Sequence, residues 1–406
     1  MFDHAWPEGI GNERYLIPKS RKEKANVSMR RECDFRSFFL GGFECSTQRL
    51  HNGTRRDLIA ATEHDRFCER DYARLREIGI CSARDGIRWH RIETSPYQYD
   101  FSSLVPMLRA ARKTGMQVIW DLFHYGWPDD LDLFSPEFIR RFRALTAEVA
   151  RVVSDEVEDA PYFSPVNEIS FFAWAAADVA ILNPFARGRG NELKNQLVRA
   201  SVAAIDAVRS IVPQARFVQV DPIVNIVTAP EMSDQDRKQA AAHNEGQWHG
   251  WDMLAGRRHP ELGGGPQYLD IAGANFYVHN QWVYEGRFIE STDSRYRPLH
   301  ELLGDLYRRY RRPLLLAETG IEDERRPAWL RYICDEVVEA LQRGIPVEGI
   351  CLYPILNYPG WDDERRCCAG LWDYCDKAGQ REIYAPFAQE LARQQARLER
   401  VLSCCP

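Results

Sequence analysis

Two glutamates occupy matching places in the sequence, each at the end of a short apolar run. Glu168 closes the stretch "YFSPVNE", and Glu318 follows "PLLLA" and precedes a turn. Two carboxyl groups across one pocket can cleave a glycosidic bond. One donates a proton to the leaving oxygen, and the other, ionised, attacks the sugar or activates a water. A single such glutamate is more often a solvated strand end, so the hypothesis depends on a fold that brings both together.

Eight apolar segments are spread along the chain and predict the strands of one sheet. They cover residues 38–46, 80–89, 116–123, 162–167, 216–221, 269–276, 313–318 and 347–353. Their hydrophobicity is nearly continuous rather than alternating, which is typical of parallel strands that are covered on both faces.

Helical patterns lie between these segments. In the stretch 63–79, apolar residues recur at helical spacing up to Gly79, and glycine is common just past a helix end. Ser135 and Pro136 are typical of an N-cap and a first helical residue, so they predict the start of another helix. Further helices are predicted near residues 101–114, 192–211, 299–310, 327–343 and 385–401, and a weaker pattern covers 232–255.

Eight strand–helix units predict a single-domain α/β protein with the (β/α)8 TIM-barrel fold. A doubly wound open sheet is the alternative, but no G-x-G-x-x-G fingerprint follows the first strand. In a barrel, functional groups lie where the strands end. Glu168 would end the fourth strand and Glu318 the seventh, and strands three steps apart in a ring of eight face each other. The barrel would therefore place both carboxyl groups over one cavity.

Composition restricts the partners and the cellular setting. Hydrophobic residues make up 45% and charged residues 28%, an ordinary globular balance. The net charge of -6 argues against a nucleic-acid partner, because phosphate binding needs a basic face. No uncharged apolar run reaches the roughly 18 residues of a membrane span, and no secretory signal is visible near the N-terminus. Eleven cysteines without a C-x-x-C pair indicate reduced thiols, so we expect a cytoplasmic location.

The composition of the chain changes after its first few dozen residues. Residues 1–37 are polar and mixed, and we assign them to an N-terminal extension. Residues 38–406 form the barrel domain. An oligomer is compatible with the sequence, which does not fix the oligomeric state.

Three motifs in the first half of the chain resemble family 1 glycoside hydrolases, the β-glucosidase type among the retaining (β/α)8 glycosidases. The stretch "FFLGGFECSTQ" resembles the first strand of that family and ends at Gln48. "ARDGIRWHRIE" resembles the second-strand motif and contains Arg84, and "FHYGWP" resembles the third-strand motif and contains His124. The resemblance implies that Gln48 and His124 bind sugar hydroxyls and that Arg84 contacts the nucleophile.

Three later motifs strengthen the resemblance. "SPVNE" resembles the family's Asn-Glu-Pro, so Asn167 would hold the 2-hydroxyl of the sugar and Glu168 would be the acid/base. "GANFY" resembles Gly-x-Asn-Tyr-Tyr, which implies that Asn275 and Tyr277 support the nucleophile. "AETG" resembles Glu-Asn-Gly and makes Glu318 that nucleophile. Each match alone is weak, but six in the right order are specific.

The sequence also departs from the pattern of that family. Ile169 stands where the family has Pro, and Thr319 where it has Asn. In "YPILNYPGW", Tyr353 replaces the family's first Trp, whereas Trp361 matches its last. Gly360 stands where the family keeps a glutamate that grips the outer sugar hydroxyls. The resemblance therefore implies an altered subsite for the first sugar, the glycone.

Each candidate side chain also has a structural interpretation. Arg84 interrupts an apolar strand and needs an anion, which could be Glu318 or the neighbouring Asp85. His124 could be a core histidine, and Tyr277 could simply pack. Three tryptophans follow predicted strands and are candidate platforms for a sugar ring: Trp127, Trp282 and Trp361.

Other acidic residues near strand ends raise the question of a metal. Glu44, Asp121 and His124 could contribute ligands, and Asp221 also follows a strand. No H-x-H or H-E-x-x-H motif occurs, however, and no G-x-S-x-G motif indicates a serine nucleophile. We therefore expect neither a metal nor a cofactor, although Glu44 and Asp121 could contact polar groups of a substrate.

These inferences predict a retaining exo-β-glycosidase whose partner is a carbohydrate or glycoside. Glu318 would form a covalent glycosyl intermediate while Glu168 protonates the leaving oxygen. Two alternatives remain open from the sequence. The same site could transfer the sugar to another acceptor as a transglycosidase, or the chain could be a non-catalytic sugar-binding protein derived from a glycosidase.

Overall fold

Eight parallel strands close into a barrel in the computed structural model, which describes residues 34–404. In chain order the barrel strands are β1 (Phe39–Gly42), β2 (Ser82–Gly86), β3 (Gln117–Asp121), β4 (Tyr162–Ser164), β5 (Arg216–Pro222), β6 (Ile271–Asn275), β7 (Leu314–Thr319) and β8 (Val347–Leu352). Each strand pairs with the next, and β8 pairs with β1. The predicted (β/α)8 fold and all eight predicted strands are confirmed.

Helices connect the strands and cover the outside of the barrel. The α-helices are Leu58–Ala61, His64–Glu77, Trp89–Ile92, Val105–Thr114, Pro136–Glu156, Ile169–Ala173, Gly190–Ile211, Asp234–Gly246, His249–Leu254, Leu299–Tyr310, Arg326–Gln342 and Ala385–Cys404. Short 3-10 turns cover Phe101–Ser103, Pro260–Leu262, Pro266–Tyr268 and Asp323–Arg325, and a π-helical turn covers Trp174–Asp178. None of these described helices is both long and apolar enough to cross a membrane.

Four pairs of short strands lie in the connections outside the barrel. They are Glu93–Ser95 with Gln98–Tyr99, Asn225–Val227 with Gln281–Val283, Tyr358–Pro359 with Arg366–Cys367, and Trp372–Cys375 with Arg381–Ile383. The third pair forms a hairpin in the loop that follows β8, and this hairpin carries Gly360 and Trp361 at its turn.

Helix ends follow the sequence signals with two differences. Pro136 begins its helix and Ser135 has the extended conformation of an N-cap, but the Ser135 hydroxyl donates to the carbonyl of Asp132 instead of accepting from the helix. The weak helical pattern over 232–255 predicted one helix, but this region forms two, because the first of them ends at Gly246.

The barrel interior is filled by apolar side chains below the ends of the strands. The cluster contains Phe35, Leu40, Ile119, Tyr162, Val218, Val220, Ile271, Leu315, Ala317, Cys351 and Tyr353. Gly42 is required there, because a Cβ atom at this position would lie 2.2 Å from the Tyr353 ring. Of the proposed extension, residues 1–33 lie outside the described part of the chain. Phe35, near its end, packs inside the barrel.

A buried histidine joins the second strand to the helix that precedes it. The ring nitrogens of His64 lie 2.9 Å from carboxylate oxygens of Asp71 and Asp85. Burial disfavours the charged ring, yet the pKa of His64 is raised well above its usual value, because the ring also faces Cys68 and hydrogen-bonds both carboxylates. His64 is therefore a buried imidazolium that holds two negative side chains together.

Replacing this histidine should destabilise the fold in a pH-dependent way. H64Q removes one partner of a buried ion pair, which typically costs about 3–5 kcal/mol of unfolding free energy. Because the folded-state pKa is raised, the contribution is complete below the unfolded pKa of about 6.5 and declines as pH rises toward the folded pKa. Urea denaturation should therefore show that H64Q lowers the free energy of unfolding more at pH 6 than at pH 9.

The matched control for this measurement is H259Q. His259 pairs with the exposed Glu261 at the surface, where such a pair contributes little. A deficit for H64Q that is equal at both pH values would contradict a charged His64.

Candidate functional site

Glu318 lies on β7 and has a partner for each carboxylate oxygen. Its Oε1 accepts a hydrogen bond from Arg84 at 2.6 Å, and its Oε2 accepts one from the Tyr277 hydroxyl at 2.9 Å. Only 5% of Glu318 is exposed. Pairing of Arg84 with Asp85 was therefore the wrong alternative, and so was a purely packing role for Tyr277. Asp85 points to the other side of the strand, where it meets His64.

Arg84 lies on β2, is fully buried, and connects three parts of the barrel mouth. In addition to its bond to Glu318, Arg84 donates through Nε and Nη2 to Asp121 on β3, at 2.9 and 2.7 Å. Its Nη2 also donates to Asn167 Oδ1 at 2.6 Å. Burial opposes its charge, but the carboxylates of Asp121 and Glu318 raise the pKa of Arg84 well above its usual value. The guanidinium is therefore permanently charged.

Glu168 follows β4 and has a left-handed backbone, with φ 50° and ψ 60°. Such a conformation is uncommon for residues other than glycine and marks local strain. The backbone N–H of Glu168 donates to Val220 O at 3.0 Å, which holds the residue against β5. Its side chain accepts hydrogen bonds from the Tyr125 hydroxyl and from Asn275 Nδ2, the latter at 2.8 Å.

The two carboxyl groups have different electrostatic surroundings. Burial is the main cause that raises the pKa of Glu168 to about 8, and the negative charge of Glu318 is the second. Hydrogen bonds from Tyr125 and Asn275 partly oppose this rise, and the charge of Asp221 adds to it. At neutral pH, Glu168 therefore carries a proton while Glu318 faces a guanidinium.

His124, at the end of β3, has a fixed tautomer. Its Nδ1 lies 2.8 Å from Asp121 Oδ2, and its Nε2 lies 3.0 Å from Asn167 Nδ2. Because Arg84 donates to Asn167 Oδ1, the Asn167 amide nitrogen must face the ring and donate to it. The proton of a neutral His124 is therefore on Nδ1. Arg84, Asp121 and His124 together fix the orientation of Asn167.

A second polar group lies on the loop that follows β1. Glu44 accepts from the backbone of Ser46 at 3.0 Å and from the indole of Trp361 at 3.2 Å. Gln48 donates through Nε2 to the Trp361 carbonyl at 3.2 Å, and its Oε1 is buried without a hydrogen-bond partner. Trp361 is half-buried and packs edge-to-face against Tyr125, so it connects this group to Glu168.

The structure corrects two sequence-based assignments. Asn275 was expected to support Glu318, but its amide donates to Glu168. Trp127 was a candidate sugar platform, but it is 5% exposed, packs on Phe123 and donates to a backbone carbonyl. Trp282, the third candidate, is half-buried in one of the short strand pairs outside the barrel.

Two contributors to the site were not assigned to it from the sequence. Tyr125 donates to Glu168, and the only available signal was its place directly after His124. Asp221 accepts from the backbone N–H of Ser170, two residues past Glu168, at 3.0 Å. Burial raises the pKa of Asp221 to about 7. Tyr125 acts on Glu168 through a hydrogen bond and Asp221 through its charge, and only the folded chain brings them near it.

Metal binding has two geometric candidates among the described residues. Cys45, Asp121 and His124 place possible ligand atoms within 4.8 Å of one another, and so do the side chains around His64. In both groups, however, each histidine nitrogen already faces a hydrogen-bond partner. The donor sets therefore fit internal hydrogen bonding, and the expectation of a metal-independent site stays a prediction.

Comparison with known proteins identifies structural neighbours only. No known family model matches the sequence, and no curated protein does. The AHE enzyme from Alicyclobacillus herbarius superimposes with a TM-score of 0.73 at 17% identity, over 91% of this chain and 100% of that one. A β-glucosidase from Thermotoga maritima in complex with glucoimidazole has a TM-score of 0.72 at 14% identity, over 90% and 99%. A structure described as a family 1 β-glucosidase from Thermotoga maritima has a TM-score of 0.71 at 15% identity, over 88% and 98%.

These neighbours share the (β/α)8 fold with this chain. At such identities the likeness establishes the fold alone. The roles of individual residues depend on the geometry described above.

The proton on Glu168 can be tested without any assumption about activity. E318Q removes the nearby negative charge, so the pKa of Glu168 should fall from about 8 by roughly one unit or more. Carbon-13 NMR titration of carboxyl-labelled glutamate would measure this change. E322Q is the matched control, since Glu322 lies four residues further on and pairs with Arg365 at the surface. An unchanged pKa in E318Q would mean that burial alone protonates Glu168.

Proposed function

We propose that this chain is a retaining exo-β-glycosidase with Glu318 as nucleophile and Glu168 as acid/base. One observation carries the proposal: of two buried carboxyl groups at one barrel mouth, only Glu318 is paired with a guanidinium. Arg84 and Tyr277 donate to Glu318, whereas burial and the charge of Glu318 keep a proton on Glu168. This division of roles is what glycosidic cleavage requires.

The first step forms a covalent intermediate. A carboxylate oxygen of Glu318 attacks the anomeric carbon, and the bond from that carbon to the leaving oxygen breaks. The proton of Glu168 passes to the leaving oxygen. Arg84 and Tyr277 hold the attacking carboxylate in place, so little reorganisation is needed.

The second step reverses the role of Glu168. Once Glu318 is an ester, it no longer carries the charge that raised the pKa of Glu168, so Glu168 becomes a better base. Glu168 then takes a proton from water, and the water oxygen attacks the anomeric carbon. The bond to Glu318 breaks, and the sugar leaves with its original configuration.

Four residues around this pair would bind the glycone. Asn167, whose orientation is fixed by Arg84 and His124, would hold the 2-hydroxyl. Gln48 has an unpaired acceptor to offer, and the half-buried Trp361 offers a flat face. His124 would contact the ring hydroxyls beside Asn167. Membership of family 1 belongs to the same proposal, which the fold of the Thermotoga maritima β-glucosidases supports. A cytoplasmic location is proposed with it, from the cysteine pattern of the sequence.

Kinetics of two variants should separate the roles of the glutamates. E318Q should remove turnover of every aryl β-glycoside, because Glu318 is the group that would form the intermediate. E168A should lower kcat/KM by about 10²–10⁴-fold with poor leaving groups, which need a proton, and far less with dinitrophenolate. Added azide should restore E168A turnover and give a β-glycosyl azide.

E322Q again serves as the control and should match the wild type. Full activity in E318Q, or an α-configured azide product, would refute the retaining mechanism.

The pH profile should report the proton on Glu168. The free protein needs Glu168 protonated, so kcat/KM should fall as pH rises through about 8. Steady-state rates between pH 5 and pH 10 on an aryl β-glycoside would show this limb. In E168Q, where the side chain does not titrate, the same limb should disappear from the residual activity. A limb that survives in E168Q would belong to another group.

A further inference from the structure

The segment that begins at Glu168 is held by two consecutive residues of β5. The N–H of Glu168 donates to Val220 O at 3.0 Å, and the N–H of Ser170 donates to both carboxylate oxygens of Asp221, at 3.0 and 3.1 Å. The first contact joins main-chain atoms, whereas the second depends on one side chain. A left-handed residue other than glycine persists only where its surroundings fix it. Asp221 is therefore the side chain of β5 that can hold Glu168 in this conformation.

The carboxylate of Asp221 has little freedom to move, because Asp221 is 2% exposed and is packed against main chain. A Cβ atom on Gly250, in the helix His249–Leu254, would lie 2.6 Å from Asp221 Oδ2, so the glycine lets the helix backbone approach the carboxylate. The residue after Asp221 lies opposite Asn275 of β6, which donates to Glu168 Oε1 at 2.8 Å. The ends of β5 and β6 thus hold the turn and the side chain of the same glutamate.

Asp221 titrates near neutral pH. Burial raises its pKa to about 7, and hydrogen bonds from Ser170 and the positive charge of Lys194 oppose this rise. His249, on the helix that packs against Asp221, is neutral at this pH, because burial and the charge of Lys194 lower its pKa to about 4. At pH 8, Asp221 is therefore mostly ionised. Its negative charge then adds to the other causes that raise the pKa of Glu168, of which burial is the largest.

We propose that Asp221 is the positioning residue of the acid/base, whose carboxylate fixes the turn after Glu168 and whose negative charge helps Glu168 to keep its proton. The inference rests on the proposed glycosidase function, because it concerns the proton that Glu168 gives to the leaving oxygen. A displacement of about 1 Å is enough to impair such a transfer. An ordinary helix cap would stabilise the fold without affecting that proton.

The charge of Asp221 can be tested without any substrate. D221N keeps an acceptor oxygen for the Ser170 N–H but removes the negative charge, so the pKa of Glu168 should fall below its wild-type value of about 8. The fall should be smaller than in E318Q, because the charge of Glu318 has the larger effect on Glu168. Carbon-13 NMR titration of carboxyl-labelled glutamate would measure both variants. An unchanged pKa of Glu168 in D221N would overturn the proposal.

A comparison of leaving groups tests the positioning. D221A removes the acceptor for Ser170, so Glu168 should protonate the leaving oxygen poorly. At pH 6, kcat/KM of D221A should fall about 10- to 100-fold for a phenyl β-glycoside, whose leaving group needs a proton. It should fall less than about threefold for the dinitrophenyl β-glycoside of the same sugar, whose leaving group departs unaided. D221N, which keeps the acceptor, should recover most of the loss with the phenyl glycoside.

D270A is the matched control for the loss of a carboxylate that binds the backbone of the barrel. Asp270 accepts the N–H of Phe217 at 3.1 Å, at the opposite end of β5 from Asp221, and it also binds Arg209. D270A should destabilise the fold but keep the wild-type dependence on the leaving group and the wild-type pKa of Glu168. A loss in D221A that is equal for both leaving groups would indicate a purely structural role and overturn the proposal. Where D221A does not fold, the titration of D221N decides the matter.

The two measurements separate this inference from the proposed function. If D221N lowers the pKa of Glu168 as described but the wild type cleaves no glycoside, the glycosidase proposal fails and the effect of Asp221 on Glu168 stands. If glycosides are cleaved but D221A loses activity equally with both leaving groups, the role of Asp221 fails and the glycosidase stands. The same holds if glycosides are cleaved and D221N leaves the pKa of Glu168 unchanged.

Discussion

The buried guanidinium of Arg84 is the interaction on which the site depends. A fully buried charge is tolerated only when it is paired and hydrogen-bonded, and Arg84 meets this condition with three residues from three different places. Glu318 comes from β7, Asp121 from β3 and Asn167 from the segment after β4. No two of these are near in sequence, and the closed ring of strands brings all three to the guanidinium. The site therefore depends on the barrel.

The same arrangement separates the protonation states of two like groups. Two ionised carboxylates in a buried mouth would repel each other. In this site the single guanidinium pairs with only one of the two carboxyl groups. Arg84 binds Glu318, whereas Glu168 has neutral donors, Tyr125 and Asn275. The strained backbone of Glu168 persists because β5 holds its N–H and Asp221 holds the next turn.

The sequence predicted the strands well because buried parallel strands are continuous apolar runs, and the barrel ring follows from their number. It also predicted that Glu168 and Glu318 share the mouth. Sequence reasoning failed for side chains whose contacts depend on residues that only the fold brings near. Asn275 is in register with Glu318 yet donates to Glu168, a choice of partner that a sequence motif does not specify. Trp127 looked like a loop residue but is packed under the loop, which a one-dimensional pattern does not reveal.

Closure of the barrel also brings together the loops that follow its first and last strands. The first and last strands are far apart in the chain but hydrogen-bonded to each other, so their loops form one wall. Trp361, in the hairpin after β8, donates to Glu44 in the loop after β1. Gln48 donates to the Trp361 carbonyl, so two contacts hold the two loops together. The hydrogen-bond donors and acceptors of this wall must find partners, because a buried acceptor without a donor is costly.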